Sequence, residues 1–192
     1  ALQEIDDVLA AVIYRVKTSQ NFSKQNTGIL QMLQKTVNTF SESKEIKQSP
    51  QLRFRIYHSV SRLLLQQHDY VSLEKYLLKT IKEFSKEGLF DKNNHDTKLQ
   101  MLTYLSNSLF KNKKYDLSLE YAEKLKEGMD EFGRFLYDKY LFYYYSSLVY
   151  NYSEKDYDKA IEILNEAKDN EVIKKLPVYI VFVYLNLAVV HY

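Results

Sequence analysis

A chain of 192 residues that is 45% hydrophobic, with only four Gly and two Pro, is long enough for a sizeable core and too poor in turn residues for an all-β fold. Its 27 basic and 25 acidic residues are well mixed, for a net charge of +2, which describes a solvated surface and not a nucleic-acid footprint. The absence of cysteine excludes disulfides, a thiol nucleophile and cysteine-bound metal, and it fits a reducing compartment.

In chain order, Leu2, Ile5, Leu9, Val12, Ile13 and Val16 share one face and predict a helix over 2–18. Asp6 and Asp7 lie near its start, where the helix dipole favours acids. A polar loop over 21–26 leads to a second predicted helix over 28–40, carrying Ile29, Leu30, Leu33, Val37 and Phe40. This pair, 1–49, reads as a divergent repeat or an end cap. A polar linker follows, and Pro50 suits the start of the next helix. Helices over 51–67 and 70–86 form the first clear pair, 51–88, with Gly88 as its C-terminal signal. A loop over 90–96 precedes the second pair, 97–128, with helices at 97–111 and 115–126 and an end near Gly128. The third pair, 134–170, has helices at 134–152 and 157–169. Leu176-Pro177 breaks the chain, and 178–192 begins a fourth pair.

One pattern recurs through these pairs. Tyr143, Ser146, Ser147 and Tyr150 lie at i, i+3, i+4, i+7, and so do Tyr57, Val60, Ser61, Leu64; Leu102, Leu105, Ser106, Leu109; and Tyr184, Leu187, Ala188, His191. The four starts, at 57, 102, 143 and 184, are separated by 45, 41 and 41 residues. Three units carry a tyrosine at the turn (Tyr70, Tyr115, Tyr157), followed by a small residue that opens the next helix (Ser72, Ser118, Ala160). Small residues facing each other across a turn let two antiparallel helices approach closely.

The run from Tyr143 through Asp156-Tyr157-Asp158-Lys159-Ala160-Ile161-Glu162, and the copy Tyr184-Leu185-Asn186-Leu187-Ala188, resemble the tetratricopeptide repeat family. The resemblance covers residues 51–192. It departs from that family in period, 41–45 here, and in lacking a closing proline in most repeats; long helices explain the period and resemble the Rap-like bacterial branch. The resemblance implies an all-α fold, a right-handed α-solenoid of antiparallel helix pairs, about nine helices in one domain over 1–192. The alternative is a non-repetitive bundle of amphipathic helices.

The resemblance also implies a function. In this architecture the first helix of each pair lines a concave groove. With the small residues turned to the partner helix, that groove falls on Arg55, His58, Arg62, Gln100, Thr103, Asn107, Tyr144, Leu148 and Leu185. It would run from basic to polar to aromatic, with arginine able to hold a carboxylate bidentately and asparagine able to clamp a peptide backbone. The expectation is a non-catalytic protein- or peptide-binding scaffold, and the alternative a peptide-sensing regulatory domain of a larger signalling or transcription-control protein.

Other chemistry is thin. The loop Asp91-Lys92-Asn93-Asn94-His95-Asp96 alternates oxygen donors but lacks the glycine and the glutamate of a calcium loop, and reads as a helix cap. His58, His68, His95 and His191 show no metal-ligand spacing. Lys111, Lys113 and Lys114 read as a solvated turn. No catalytic constellation, metal site or cofactor motif is present in the sequence, so the protein is not expected to be an enzyme. No run approaches the roughly 20 apolar residues of a membrane span. The ends at Ala1 and Tyr192 read as cut. A cytoplasmic location is expected, with a removed signal sequence as the alternative. The apolar face of 178–192 suggests a homodimer contact.

Overall fold

The computed structural model describes residues 43–132 and 137–191, and between 3 and 39 only isolated positions, all of them helical. The expected helices over 2–18 and 28–40, the loop at 21–26, the start of the third pair at 134 and Tyr192 therefore lie wholly or largely outside the described residues. Among the described residues every regular element is helical: α1 Lys44–Lys47, α2 Pro50–Gln66, α3 Tyr70–Lys86, α4 His95–Lys111, α5 Tyr115–Asp130, α6 Tyr137–Ser153, α7 Tyr157–Asp169 and α8 Pro177–His191. The chain divides into two compact units, Ala1–Leu89 and Phe90–Tyr192.

In the first unit, Ser49 caps α2 by accepting from the Leu52 N–H at 3.4 Å, and Pro50 occupies the first turn, where no backbone donor is needed. Asp69 caps α3 through the Ser72 N–H at 3.0 Å. Leu52, Ile56, Tyr57, Val60, Leu63 and Leu64 of α2 are buried, with Leu73, Leu77 and Phe84 of α3. Each such side chain contributes about 1.5–3 kcal/mol on burial. Phe54 meets Phe84 edge-on at 5.0 Å, and Arg53 forms a forked ion pair with Glu87. These contacts join the start of α2 to the end of α3, so the pair is antiparallel.

Three helices end in the same way. After α2, His68 takes φ +55° and the Asp69 N–H returns to the Leu64 carbonyl. After α4, Lys113 takes φ +61° and the Lys114 N–H returns to Leu109; after α3, Gly88 takes φ +65° and the Leu89 N–H returns to Phe84. This is the left-handed cap that usually selects glycine. Gly88 supplies it as the sequence predicts, while His68 and Lys113 hold the same backbone at a steric cost.

In the second unit, Ser106 meets Ser118, Lys98 meets Glu131 and His95 meets the Gly128 carbonyl, so α4 and α5 run antiparallel. Tyr144 with Glu123 and Lys155 with Asp116 do the same for α5 and α6. Within this unit the first helices of two successive pairs, α4 and α6, lie side by side in parallel. Tyr140 touches Asp96, Ser147 touches Ser106 and Tyr150 stacks on Phe110, offsets of 44, 41 and 40 residues. The 41-residue spacing in the sequence is thus a register in space.

Two readings are corrected. Gly128 does not end the second pair: α5 continues to Asp130, and Gly128 is buried within it. A Cβ there would come within 2.8 Å of Leu99 Cδ2, so the glycine serves close approach of α4 and exposes its carbonyl to His95 Nε2 at 2.6 Å. Ser72 is exposed, not packed at the crossing of α2 and α3, while the next residue, Leu73, is fully buried. The Asp91 loop is a reciprocal cap: Asp91 Oδ1 accepts from the Asn93 and Asn94 N–H groups, and Asn94 Oδ1 accepts from the Asp91 N–H.

Candidate functional site

The orientation of the first helices is set by a buried hydroxyl cluster. Ser106 Oγ donates to the Ser118 carbonyl at 2.9 Å, and Ser118 Oγ donates back to the Ser106 carbonyl at 2.7 Å. With both protons placed, the 2.6 Å contact between Ser147 and Ser106 makes Ser147 the donor. Asn151 Nδ2 closes the cluster with bonds to Ser118 Oγ at 2.9 Å and the Ser147 carbonyl at 2.8 Å. Four short polar side chains therefore tie α4, α5 and α6 together where their backbones approach.

This cluster turns α6 away from its expected orientation. Ser147 faces α4, its parallel neighbour, instead of its own partner helix. Leu148 is consequently buried, 8% exposed, and is not available to a groove. Tyr144 is half-buried, with its hydroxyl donating to Glu123 on α5 at 3.0 Å; burial first, and then the Glu123 carboxylate, push its phenol well above the usual range. Tyr145 likewise bonds Glu166 on α7. The open face of α6 is instead Lys139, Tyr143 and Tyr150, at i, i+4 and i+11.

The other expected groove residues divide between the two units. Arg55, His58 and Arg62 share one face of α2, Arg55 exposed and the other two half-buried. Arg55 and His58, with Gln3, Ser49, Gln51, Leu52 and Phe54, line an open cavity of about 650 Å³. In the second unit Gln100, Thr103 and Asn107 share a half-buried face of α4, the Thr103 hydroxyl returning to the Leu99 carbonyl. Leu185 on α8 is 62% exposed, beside exposed Val181 and Tyr184.

The feature that sequence reasoning missed is a ladder of aromatic rings across the second unit. Tyr115 leads to Phe110 at 5.7 Å, Phe110 stacks on Tyr150 at 5.8 Å, and Tyr150 meets Phe182 edge-on at 6.1 Å. Phe182 meets Phe142 at 5.1 Å, Phe142 meets Tyr143 at 5.5 Å, and Tyr143 meets Tyr140 at 6.3 Å. Each pair adds about 0.5–1.5 kcal/mol beyond simple burial, so the ladder is a stiff element. Its base is held by Tyr140, whose hydroxyl donates to the carbonyl and the Oδ1 of Asp96 at 3.0 and 2.7 Å; burial and that bond drive its phenol far above the ordinary range. Tyr143 and Tyr150 stand out of the ladder, 41% and 42% exposed. Burial against the neighbouring rings also raises the Tyr150 phenol.

The strip is electrically quiet. Residues 140–153 contain no Asp, Glu, Lys or Arg, and Lys139 at its edge is matched by Asp96 Oδ1 at 3.6 Å. Among the described residues no cluster of His, Asp and Glu is arranged to hold a metal ion, and no helix is long and apolar enough to cross a membrane. The visible signal for the strip was Tyr143 and Tyr150 themselves, seven residues apart, which the repeat pattern had assigned to the packed face.

No family model matches the chain, and no curated protein and no solved structure matches it. Function is therefore read from the chain's own geometry.

Proposed function

We propose that the protein is a non-catalytic scaffold that binds proteins or peptides on the open face of its first helices, within a tetratricopeptide-like right-handed solenoid. The observation that carries the reading is the braced, uncharged tyrosine strip of α6. Exposed tyrosines on a rigid floor offer large contact area with little rotamer entropy to lose and a hydroxyl for hydrogen bonding, which is the composition of surfaces that bind protein. The parallel register of α4 and α6 at 40–44 residues supports the repeat arrangement, because each further pair stacked in that register extends the same face.

The test is to pan a displayed random-peptide library against the whole chain. Recovered clones are then compared on the wild type and on the Tyr143→Ala/Tyr150→Ala variant by biolayer interferometry. Loss of affinity by about thirtyfold on the variant is expected from truncating central aromatic contacts. No enriched clone, or clones that bind both proteins equally, would refute the reading.

A further inference from the structure

We propose that the Tyr143–Tyr150 strip takes a neutral, proline-rich segment of a partner protein, in the polyproline II conformation, laid along α6; this rests on the scaffold reading above.

The spacing of the rings is the first reason. Tyr143 and Tyr150 are seven residues apart on one helix, about 10.5 Å along its axis at 1.5 Å per residue. A polyproline II chain presents the same face every third residue, about 9.3 Å apart. Two successive prolines of a Pro-x-x-Pro stretch therefore fall against two successive tyrosines. Between the rings lies Ser146, a small residue whose hydroxyl already donates to the Phe142 carbonyl at 2.8 Å. Ser146 is itself buried and places no unbonded polar group under the ligand.

Rigidity is the second. Tyr150 is held between Phe110 and Phe182, and Tyr143 between Tyr140 and Phe142. A stiff surface meeting a stiff ligand loses little conformational entropy on association.

Charge complementarity and hydrogen bonding select the occupant. The strip has no charge along 140–153, and Lys139 is already matched by Asp96. An acidic or basic segment lying on it would be desolvated without a counter-ion, whereas a proline-rich segment brings no charge. Polyproline II chains also leave every backbone carbonyl unbonded, and the two phenols supply O–H donors on the same face. An amphipathic helix has already bonded its interior carbonyls once and offers the phenols fewer open acceptors.

The experiment is fluorescence anisotropy on the full chain with a labelled proline decamer, beside an alanine-based helical peptide of equal length. Binding of the decamer in preference to the helix is expected. Tyr143→Ala and Tyr150→Ala should each weaken it about tenfold or more, and Tyr157→Ala, which removes an exposed tyrosine at the start of α7, should leave it unchanged. Tyr143→Phe and Tyr150→Phe keep the ring packing and remove only the donors, so a smaller loss, about fivefold, is expected even if the alanine variants fold poorly. Decamer binding indifferent to all four strip substitutions would overturn the proposal. So would failure of the decamer to bind while panned, proline-free clones still bind through Tyr143 and Tyr150; that outcome leaves the scaffold reading standing. If neither the decamer nor any panned clone depends on the strip, both readings fall.

Discussion

Replacing Ser118 by alanine removes one oxygen from a site with no solvent access. That oxygen donates to the Ser106 carbonyl at 2.7 Å and accepts from Asn151 Nδ2 at 2.9 Å. Two neutral hydrogen bonds are worth about 1 kcal/mol each, and the Asn151 amide hydrogen left without an acceptor in the core adds about 1 kcal/mol more. The better helix propensity of alanine returns at most about 0.5 kcal/mol, so a net loss of about 2–3 kcal/mol is expected. Ser61 is the informative contrast. It sits on α2 where the repeat places Ser106 on α4 and is as fully buried as Ser118, but its hydroxyl has no hydrogen-bond partner. Ser61→Ala removes an unsatisfied group and should stabilise its unit by about 1 kcal/mol. Urea denaturation followed by far-UV circular dichroism reads both, each on its own transition if the two units unfold separately. With a slope of about 2–3 kcal/mol per M, the midpoint should fall by about 1 M for Ser118→Ala and rise by a few tenths for Ser61→Ala. Shifts of the same sign, or a Ser118→Ala effect within about 0.5 kcal/mol, would refute the account of the hydroxyl cluster.

Three further outcomes are expected. Lys113→Gly relieves the left-handed backbone after α4, φ +61°, and should raise stability by about 1 kcal/mol in the same denaturation assay. Gly128→Ala brings a Cβ to 2.8 Å from Leu99 Cδ2, and Leu99 is itself only 1% exposed, so overpacking of about 1–3 kcal/mol should outweigh the propensity gained; an unchanged or higher melting temperature would contradict the close approach. Tyr140 ionises above its ordinary value because burial, and then its bond to Asp96, disfavour the phenolate. The unfolded chain therefore loses that proton first, near pH 10, and the stability this phenol contributes is complete below that value and falls as pH rises beyond it. One such group adds about 1.4 kcal/mol per pH unit to the slope, so Tyr140→Phe should be less stable than wild type at neutral pH yet lose stability less steeply above pH 10. Parallel pH profiles for the two proteins would argue against it.

Much of the helical layout was legible in the chain. The spans 70–86 and 157–169 coincide with α3 and α7, and Pro50 and Gly88 mark a helix start and a helix end as their backbone chemistry requires. The spacing of Leu102 and Tyr143 reappears as the parallel register of α4 and α6. These signals are local, written in caps, glycines and periodicity, and local sequence suffices to carry them. On α4, where polar Gln100, Thr103 and Asn107 alternate with buried Leu99, Leu102, Leu105 and Leu109, the contrast was strong enough to set the packed leucine face apart from the polar one.

On α6 that contrast vanishes. Six tyrosines and one phenylalanine surround the helix between 140 and 152, and tyrosine is equally at home packed, bonded to a carboxylate or half in water. Tyr140 is buried under Asp96, Tyr144 and Tyr145 reach glutamates on two different helices, and Tyr143 and Tyr150 are left open. Residue type does not separate these fates. The choice was made by the neighbours: Ser147 finds Ser106 on α4, Asn151 finds Ser118 on α5, and together they fix the rotation of α6 about its axis. By itself the sequence determined where most of the described helices lie and the spacing at which α4 and α6 repeat. Only the tertiary structure decided which side of the aromatic helix meets solvent, because a side chain that is amphipathic in itself takes its environment from the partners it meets and not from its place in the pattern.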